Sequence, residues 1–272
     1  MRERGIWMAV CVVAAGLAGG GCSSDSAAGP VPPSGSGGAG GSSAAAGGAA
    51  GSGATACAAS SGPVDPTAMI DDMEATDPLI LMVGGRNGSW WTGGDMVSHS
   101  ATIVPNGDTS AEPIPGGGRC GSLHAVHVTG QGFTSWAVVT TSLRYGAVDG
   151  GAPGLLPYDA HGWTGVTFWA RIGDTSGNHV RFSISDKATR PEGGLCDVSA
   201  STGPTACYDN FGVDLTQLGT RWTQYRIPFV GLGQQHFGLE EQALNTNAIY
   251  TIDFNFLVNE IFDFWVDDIS FY

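Results

Sequence analysis

From residue 165 onward the chain alternates apolar and polar side chains. In Gly165-Val166-Thr167-Phe168-Trp169-Ala170-Arg171-Ile172, Val166, Phe168, Ala170 and Ile172 fall on one side and Thr167, Trp169 and Arg171 on the other. Successive side chains of a strand point to opposite faces, so this pattern predicts a half-buried strand. The run from His179 to Asp186 repeats it, burying Val180, Phe182 and Ile184 and turning Arg181, Ser183 and Ser185 outward. A third run places Thr223, Tyr225, Ile227 and Phe229 inward, with Trp222, Gln224 and Arg226 outward. Pro228 predicts that this strand ends or bulges there. A fourth buries Tyr250, Ile252, Phe254 and Phe256 and exposes Thr251, Asp253 and Asn255. Less regular strands are expected over 122–129, 136–143 and around Trp90-Trp91-Thr92. Gly, Pro, Asn and Asp clusters separate the runs and no helical period emerges, which predicts an all-β fold, an antiparallel β-sandwich of the jelly-roll kind.

Acidic residues interrupt this pattern at both ends of the domain. Met69-Ile70-Asp71-Asp72-Met73-Glu74 opens it, and Phe262-Asp263-Phe264-Trp265-Val266-Asp267-Asp268-Ile269-Ser270-Phe271-Tyr272 closes it. In the closing run Phe262, Phe264 and Val266 share a phase that Ile269 and Phe271 do not. A bulge at Asp267 and Asp268 restores one core face. The carboxylates freed there, with Glu74 or Asp72, are the hard oxygen ligands that calcium takes; the other reading is an acidic edge strand that discourages aggregation.

The first sixty residues have a different character. Arg2 and Arg4 precede an apolar stretch from Ile6 to Leu17, followed by Ala18-Gly19-Gly20-Gly21 and Cys22. A charged start, a short apolar stretch and small residues read as an export signal over residues 1–21. The stretch falls short of the ~20 residues that span a bilayer. This segment resembles a bacterial lipoprotein signal, with Cys22 the residue that is acylated, although Gly19 stands where that family usually has Leu. The rival is an ordinary secretory signal cut further on. Ser23 after Cys22 points, by the same resemblance, to the outer membrane of a bacterial cell envelope. From there to residue 62 the chain is nearly all Gly, Ala, Ser and Pro, a flexible spacer that cannot bury a core. The folded domain is therefore expected over residues 63–272, as a monomer held off a membrane by its lipid.

Charge narrows the partners. The formal net charge is −14, and losing Arg2, Glu3 and Arg4 with the signal moves it to −15. With Lys187 the only lysine, nucleic acid and anionic headgroups are excluded as partners, and a neutral ligand or a cation is favoured. Export also permits disulfides. Cys57, Cys120, Cys196 and Cys207 allow three pairings; Cys196 with Cys207 would staple a local loop and Cys57 with Cys120 would tie the spacer to the domain. Zinc is disfavoured, because no CxxC or histidine cluster accompanies them.

Ile70-Asp71-Asp72-Met73-Glu74, the Gly165 to Arg171 run, Trp222 to Phe229 and Trp265-Val266-Asp267-Asp268 together resemble the galactose-binding-like jelly rolls of carbohydrate-binding modules. The likeness is to the family 11 type and the related intermediate-associated protein 30 domains. It implies two antiparallel sheets, one of them concave, and a structural calcium where the first and last strands meet. Glu74 and Asp268 match the acidic positions, with Asp72 and Asp267 as alternatives. The stretch from Cys196 to Cys207 is an insertion relative to that pattern.

If the outward sets of the four clear strands share one sheet, they gather Trp169, Arg171, Arg181, Ser183, Gln224, Arg226, Asp253, Asn255 and Trp265. Aromatic faces pack on the C–H surface of a pyranose, and planar polar groups bond its hydroxyls. A polysaccharide or glycan is thus the expected ligand. The alternative is that loops cover Trp169 and Trp265 while the arginines pair with nearby acids. Trp90 and Trp91 would be a ligand platform or the closure of one core end. Catalysis has thin support: Asp253 with Asp263 is the one carboxylate pair for glycoside hydrolysis, and neither HExxH nor GxSxG occurs. The expectation is a non-catalytic, calcium-stabilised carbohydrate-binding domain, with an envelope protein-interaction domain as the alternative and a hydrolase third.

Overall fold

The computed structural model describes residues 65–272, except 117, 149, 150, 175 and 178. The export segment, Cys22, the spacer and Cys57 lie outside the described residues, and with Cys57 goes the expected pairing to Cys120. Among the described residues fifteen strands follow one another: β1 (Met69–Asp71), β2 (Trp90–Gly94), β3 (Thr102–Val104), β4 (Gly107–Asp108), β5 (Ala111–Pro113), β6 (His124–Gln131), β7 (Ala137–Ser142) and β8 (Tyr145–Ala147) in the first half. Then come β9 (Pro153–Leu155), β10 (Gly165–Ile172), β11 (Val180–Asp186), β12 (Phe211–Asp214), β13 (Thr223–Pro228), β14 (Ile249–Phe256) and β15 (Phe262–Phe271). Strand β13 ends at Pro228, which opens a short 3-10 turn at Phe229. Among the described residues no helix is long and apolar enough to cross a membrane.

Two antiparallel sheets form the sandwich. The first runs β13-β10-β15-β6-β3, with β1 on β15 and β5 on β6; the second runs β12-β11-β14-β7-β2-β4. Strands β8 and β9 make a separate hairpin. Between the sheets Phe168 of the first packs within 5.2 Å of Phe182 and 5.0 Å of Phe254 of the second, ring centre to ring centre. The alternating inward sets predict this core: Val166, Phe168, Ala170, Phe182, Ile184, Ile252, Phe254, Phe264 and Val266 are all buried.

Two expectations about local structure hold. Cys196 and Cys207 are bridged, Cα to Cα 5.1 Å. Strand β15 carries its bulge: Thr167 pairs with Ser270 but Trp169 with Asp267, so two residues of β15 oppose Phe168 alone. Asp268 sits there with φ of 48°, and Ile269 and Phe271 rejoin the core.

One expectation is corrected. The four clear strands do not share a sheet, since β10 and β13 belong to the first and β11 and β14 to the second. The chain crosses between sheets from β10 to β11, from β12 to β13 and from β13 to β14, and alternation within a strand fixes its inward face without saying which layer it joins.

A buried carboxylate links the layers. Asp71 of β1 accepts from the Trp90 indole N–H at 2.7 Å and from the Met73 amide at 3.1 Å. Burial raises its pKa to about 6, against the Trp90 hydrogen bond that lowers it. An unfolded Asp titrates near ~3.9, so between roughly pH 4 and 6 the folded state keeps a proton that the unfolded chain has released. This contribution to stability is complete below about pH 4 and lost as pH rises through about 6. Thermal melts across that range are expected to show a decline that Asp71→Asn makes shallower, the rest coming from the other buried carboxylates.

Candidate functional site

The outer faces of the two sheets divide the expected ligand residues between them. Trp169, Arg171, Gln224 and Trp265 lie on the first sheet, where Trp169 pairs with both Gln224 and Asp267, and Arg171 with Trp265. Arg181, Asp253 and Asn255 lie on the second, in adjoining strands. The single nine-residue face expected from the sequence therefore does not exist.

On the first sheet the aromatic faces are already covered. The Arg119 guanidinium lies 4.4 Å from the Trp169 ring centre and 5.7 Å from that of Trp222. Arg171 lies 5.3 Å from Trp222 and 4.7 Å from Trp265. The other face of Trp265 stacks on His127 at 3.8 Å. His127 in turn meets Glu112 through Nδ1 at 2.6 Å and Asp263 through Nε2 at 2.9 Å. Trp265 is only 5% exposed. Trp265 is thus covered by Arg171 and His127, and Trp169 is half-buried with Arg119 against its ring; a sugar ring cannot stack on a face that a guanidinium or imidazole occupies.

The second sheet is open. Its outer face lines a groove of about 1500 Å³. One cross-strand row runs Asp108, Trp91, Thr140, Asp253, Ser183 and Gly212, one residue from each of the six strands. Beside it lie Val138, Asn255, Arg181 and Asp214 on one side and Ser142, Thr251 and Ser185 on the other. Small hydroxyl and amide side chains make a floor close to the backbone. Trp90 and Trp91, adjacent in a strand, part company. Trp90 is 1% exposed in the core, whereas Trp91 is 40% exposed in the groove. The Trp91 ring lies over Gly93, where an added methyl group would run into its carbons.

Asp253 occupies the middle of the floor. Its carboxylate accepts from the Thr140 hydroxyl at 2.5 Å and the Asn210 amide at 2.8 Å. Burial pushes its pKa up, against the Thr140 hydroxyl and the charge of Arg190. Asn210 Oδ1 beside it is buried without a hydrogen-bond partner. Asn255 donates to Ser183 Oγ at 2.9 Å, and Arg181 donates to the Gly233 carbonyl at 2.6 Å, so these two are fixed in place.

Two carboxylates hold the walls. Asp95 accepts from the amides and hydroxyls of Thr134 and Ser135 at 2.5 to 2.9 Å, donors that hold its pKa near about 2, Ser135 foremost. This clamps the turn that presents Trp136, 46% exposed. Asp209 accepts from the amides of Gln235, Phe237 and Gly238 at 2.8, 2.9 and 3.2 Å. It ties the segment just after Cys207 to the 233–239 loop, and Tyr208 and Phe237 line the groove there. Arg190 lies 5.5 Å from the Tyr208 ring centre. Trp136, Tyr208, Phe237, Asn210 and Thr140 were not expected as site residues. Only Trp91 had a readable signal, because adjacent strand residues must face opposite ways.

The remaining expected residues separate as well. Asp253 and Asp263 lie on the outer faces of opposite sheets, with a core ~10 Å thick between the layers. They are not a hydrolytic pair. Of the metal candidates, Glu74 accepts from the Leu123 and His124 amides at 2.7 and 3.2 Å, and Asp72 from the Glu74 amide at 3.2 Å. Asp267 and Asp268 both face Arg119. Burial, then the adjacent Asp268, raises Asp267 to about 6 despite Ser122 and Arg119.

An antiparallel sandwich with an aromatic-walled groove over one sheet is built as a ligand-binding module. Residues 80–272 match the family described as Carbohydrate binding domain 30, and the chain belongs to it. Among solved structures it is similar to a family 30 carbohydrate-binding module of a Clostridium thermocellum cellulosomal cellulase, with 13% identity over 75% or more of each chain (76% and 96%) and a TM-score of 0.47. It is also similar to the family 11 module of the same organism, solved with a β-1,3-1,4-mixed-linked tetrasaccharide: 20% identity, 75% of this chain, 94% of that one, TM-score 0.46. Curated proteins show no match.

The seat of Trp91 is open to test. Gly93→Ala is expected to lift the ring off the floor, shifting the Trp91 indole N–H resonance while that of buried Trp90 stays in place.

Proposed function

We propose that the chain is an exported, lipid-anchored domain that binds a neutral glycan, non-catalytically, in the groove of the second sheet. The observation that carries this reading is the exposed Trp91 ring, seated flat over Gly93 at one side of a floor of Thr140, Asp253 and Ser183. A pyranose presents apolar C–H faces and equatorial hydroxyls. The first stack on an indole, and the second bond to carboxylate, amide and hydroxyl groups along the floor. Trp136, Tyr208 and Phe237 line the same groove and extend the contact beyond one sugar ring. The acidic surface of the chain repels polyanions and leaves a neutral polysaccharide unaffected.

Retention on insoluble polysaccharides and a glycan array that includes mixed-linked β-glucan tests the groove. Trp91→Ala is expected to abolish retention, a loss of tenfold or more from ~1–2 kcal/mol of aromatic contact, with the melting temperature held. Trp169→Ala is expected to lower the melting temperature and leave retention intact in the folded fraction. A wild-type protein blank on every neutral glycan overturns the reading.

The tether rests on Arg2, Arg4, the apolar stretch and Cys22. In a bacterial host, radiolabelled palmitate is expected in the membrane-bound protein and absent from Cys22→Ser, which appears in the soluble fraction; equal labelling of both rules out the anchor.

A further inference from the structure

The acidic runs at the two ends of the domain meet through a loop. Arg119 and Ser122 close a tight turn by reciprocal backbone hydrogen bonds of 2.8 Å. On one side Glu74 Oε1 holds the Leu123 and His124 amides, and Oε2 the His124 ring at 3.2 Å. On the other, Arg119 donates through Nε and Nη2 to Asp267 Oδ2 at 3.1 and 3.0 Å, and through Nη2 to Asp268. Ser122 Oγ adds a third donor to the same Asp267 oxygen at 2.8 Å. The Arg119 side chain is 6% exposed and that of Asp267 0%. Trp169 and Trp222 flank the guanidinium.

Calcium does not fit these residues. It takes about six to eight oxygen ligands at roughly 2.3–2.6 Å, and among the described residues no three His, Cys, Asp or Glu side chains are grouped to hold a metal. Asp267 Oδ1 is buried without a hydrogen-bond partner, but it is one oxygen, and its carboxylate already answers a guanidinium. Indole rings offer a metal no ligand on the flank where they lie. A guanidinium suits the same place: it is planar, weakly hydrated, forks toward a carboxylate and stacks on aromatic faces.

We propose that Arg119 is the built-in cation of this clasp, neutralising Asp267 and Asp268 and fixing the 119–124 loop between Glu74 and the last strand, so that the domain needs no calcium to close. The charge is carried by the chain itself. The folded state is then indifferent to divalent cations, which stabilise a protein only by binding the folded form.

Thermal melting of the whole chain tests this without reference to glycan. In wild type neither EDTA nor millimolar calcium is expected to move the melting temperature. Arg119→Met is expected to lower it by roughly 10 °C, since a buried carboxylate loses its partner. If Arg119→Met is too unstable to purify, Arg119→Lys keeps the charge and loses the fork and the stacking, and is expected to melt between wild type and Met. Arg119→Met with Asp267→Asn removes both charges and is expected to melt above Arg119→Met alone. A wild-type melting temperature that rises with calcium or falls with EDTA overturns the proposal, and so does a double variant no more stable than the single one.

Discussion

The structure depends on a change of phase within its last strand. Strand β15 lies at the middle of the first sheet, paired with β10, β6 and β1, and it delivers Phe262, Phe264, Val266, Ile269 and Phe271 to one core. A period of two cannot do that across the Val266 to Ile269 step without an extra residue. The bulge supplies the residue, and the cost is two consecutive carboxylates on the outer side of a central strand, one of them wholly buried. Like charges this close repel one another, which is why burial and Asp268 together raise Asp267. The loop from Arg119 to His124 answers that charge, and Glu74 holds the loop from its far side. A demand set by core packing thus reaches, through one guanidinium, to residues far apart in the chain.

Much of the fold was legible from side-chain period alone. Strand β10 has the bounds that its alternation predicts, β11, β13 and β14 differ by a residue or so at their ends, and the bulge follows from hydrophobic phase. Sheet membership was not legible, because it is decided by long-range pairing that leaves no mark within a strand. Trp169 and Trp91 show the consequence. Each faces outward beside polar neighbours, and local sequence treats them alike. Trp169 is covered by Arg119, fifty residues earlier in the chain and on a loop with no period to read. Trp91 is left open because its neighbour Gly93 has no side chain and the facing strand offers Thr140. Tyr208 and Phe237 were beyond reach for the same reason, since their placement depends on Asp209 meeting amides more than twenty residues away.

The two outer faces use similar residue types to opposite ends, and partner supply decides which end. On the first sheet cations occupy the rings: Arg119, Arg171 and His127 lie among Trp169, Trp222 and Trp265, giving Trp222 and Trp265 two planar partners each and Trp169 one, at 3.8 to 5.7 Å. Such a stack buries aromatic area and gains cation–π attraction together. On the second sheet Arg190 lies against Tyr208, while the arginine on the floor is withdrawn from Trp91. Arg181 is bound to the Gly233 carbonyl and lies near Asp214 at 3.6 Å, and the floor beside Trp91 is Gly, Thr and Ser. A ring with no planar partner keeps its face for whatever enters. The groove is shaped as much by where the guanidinium groups are tied down as by where the tryptophans stand.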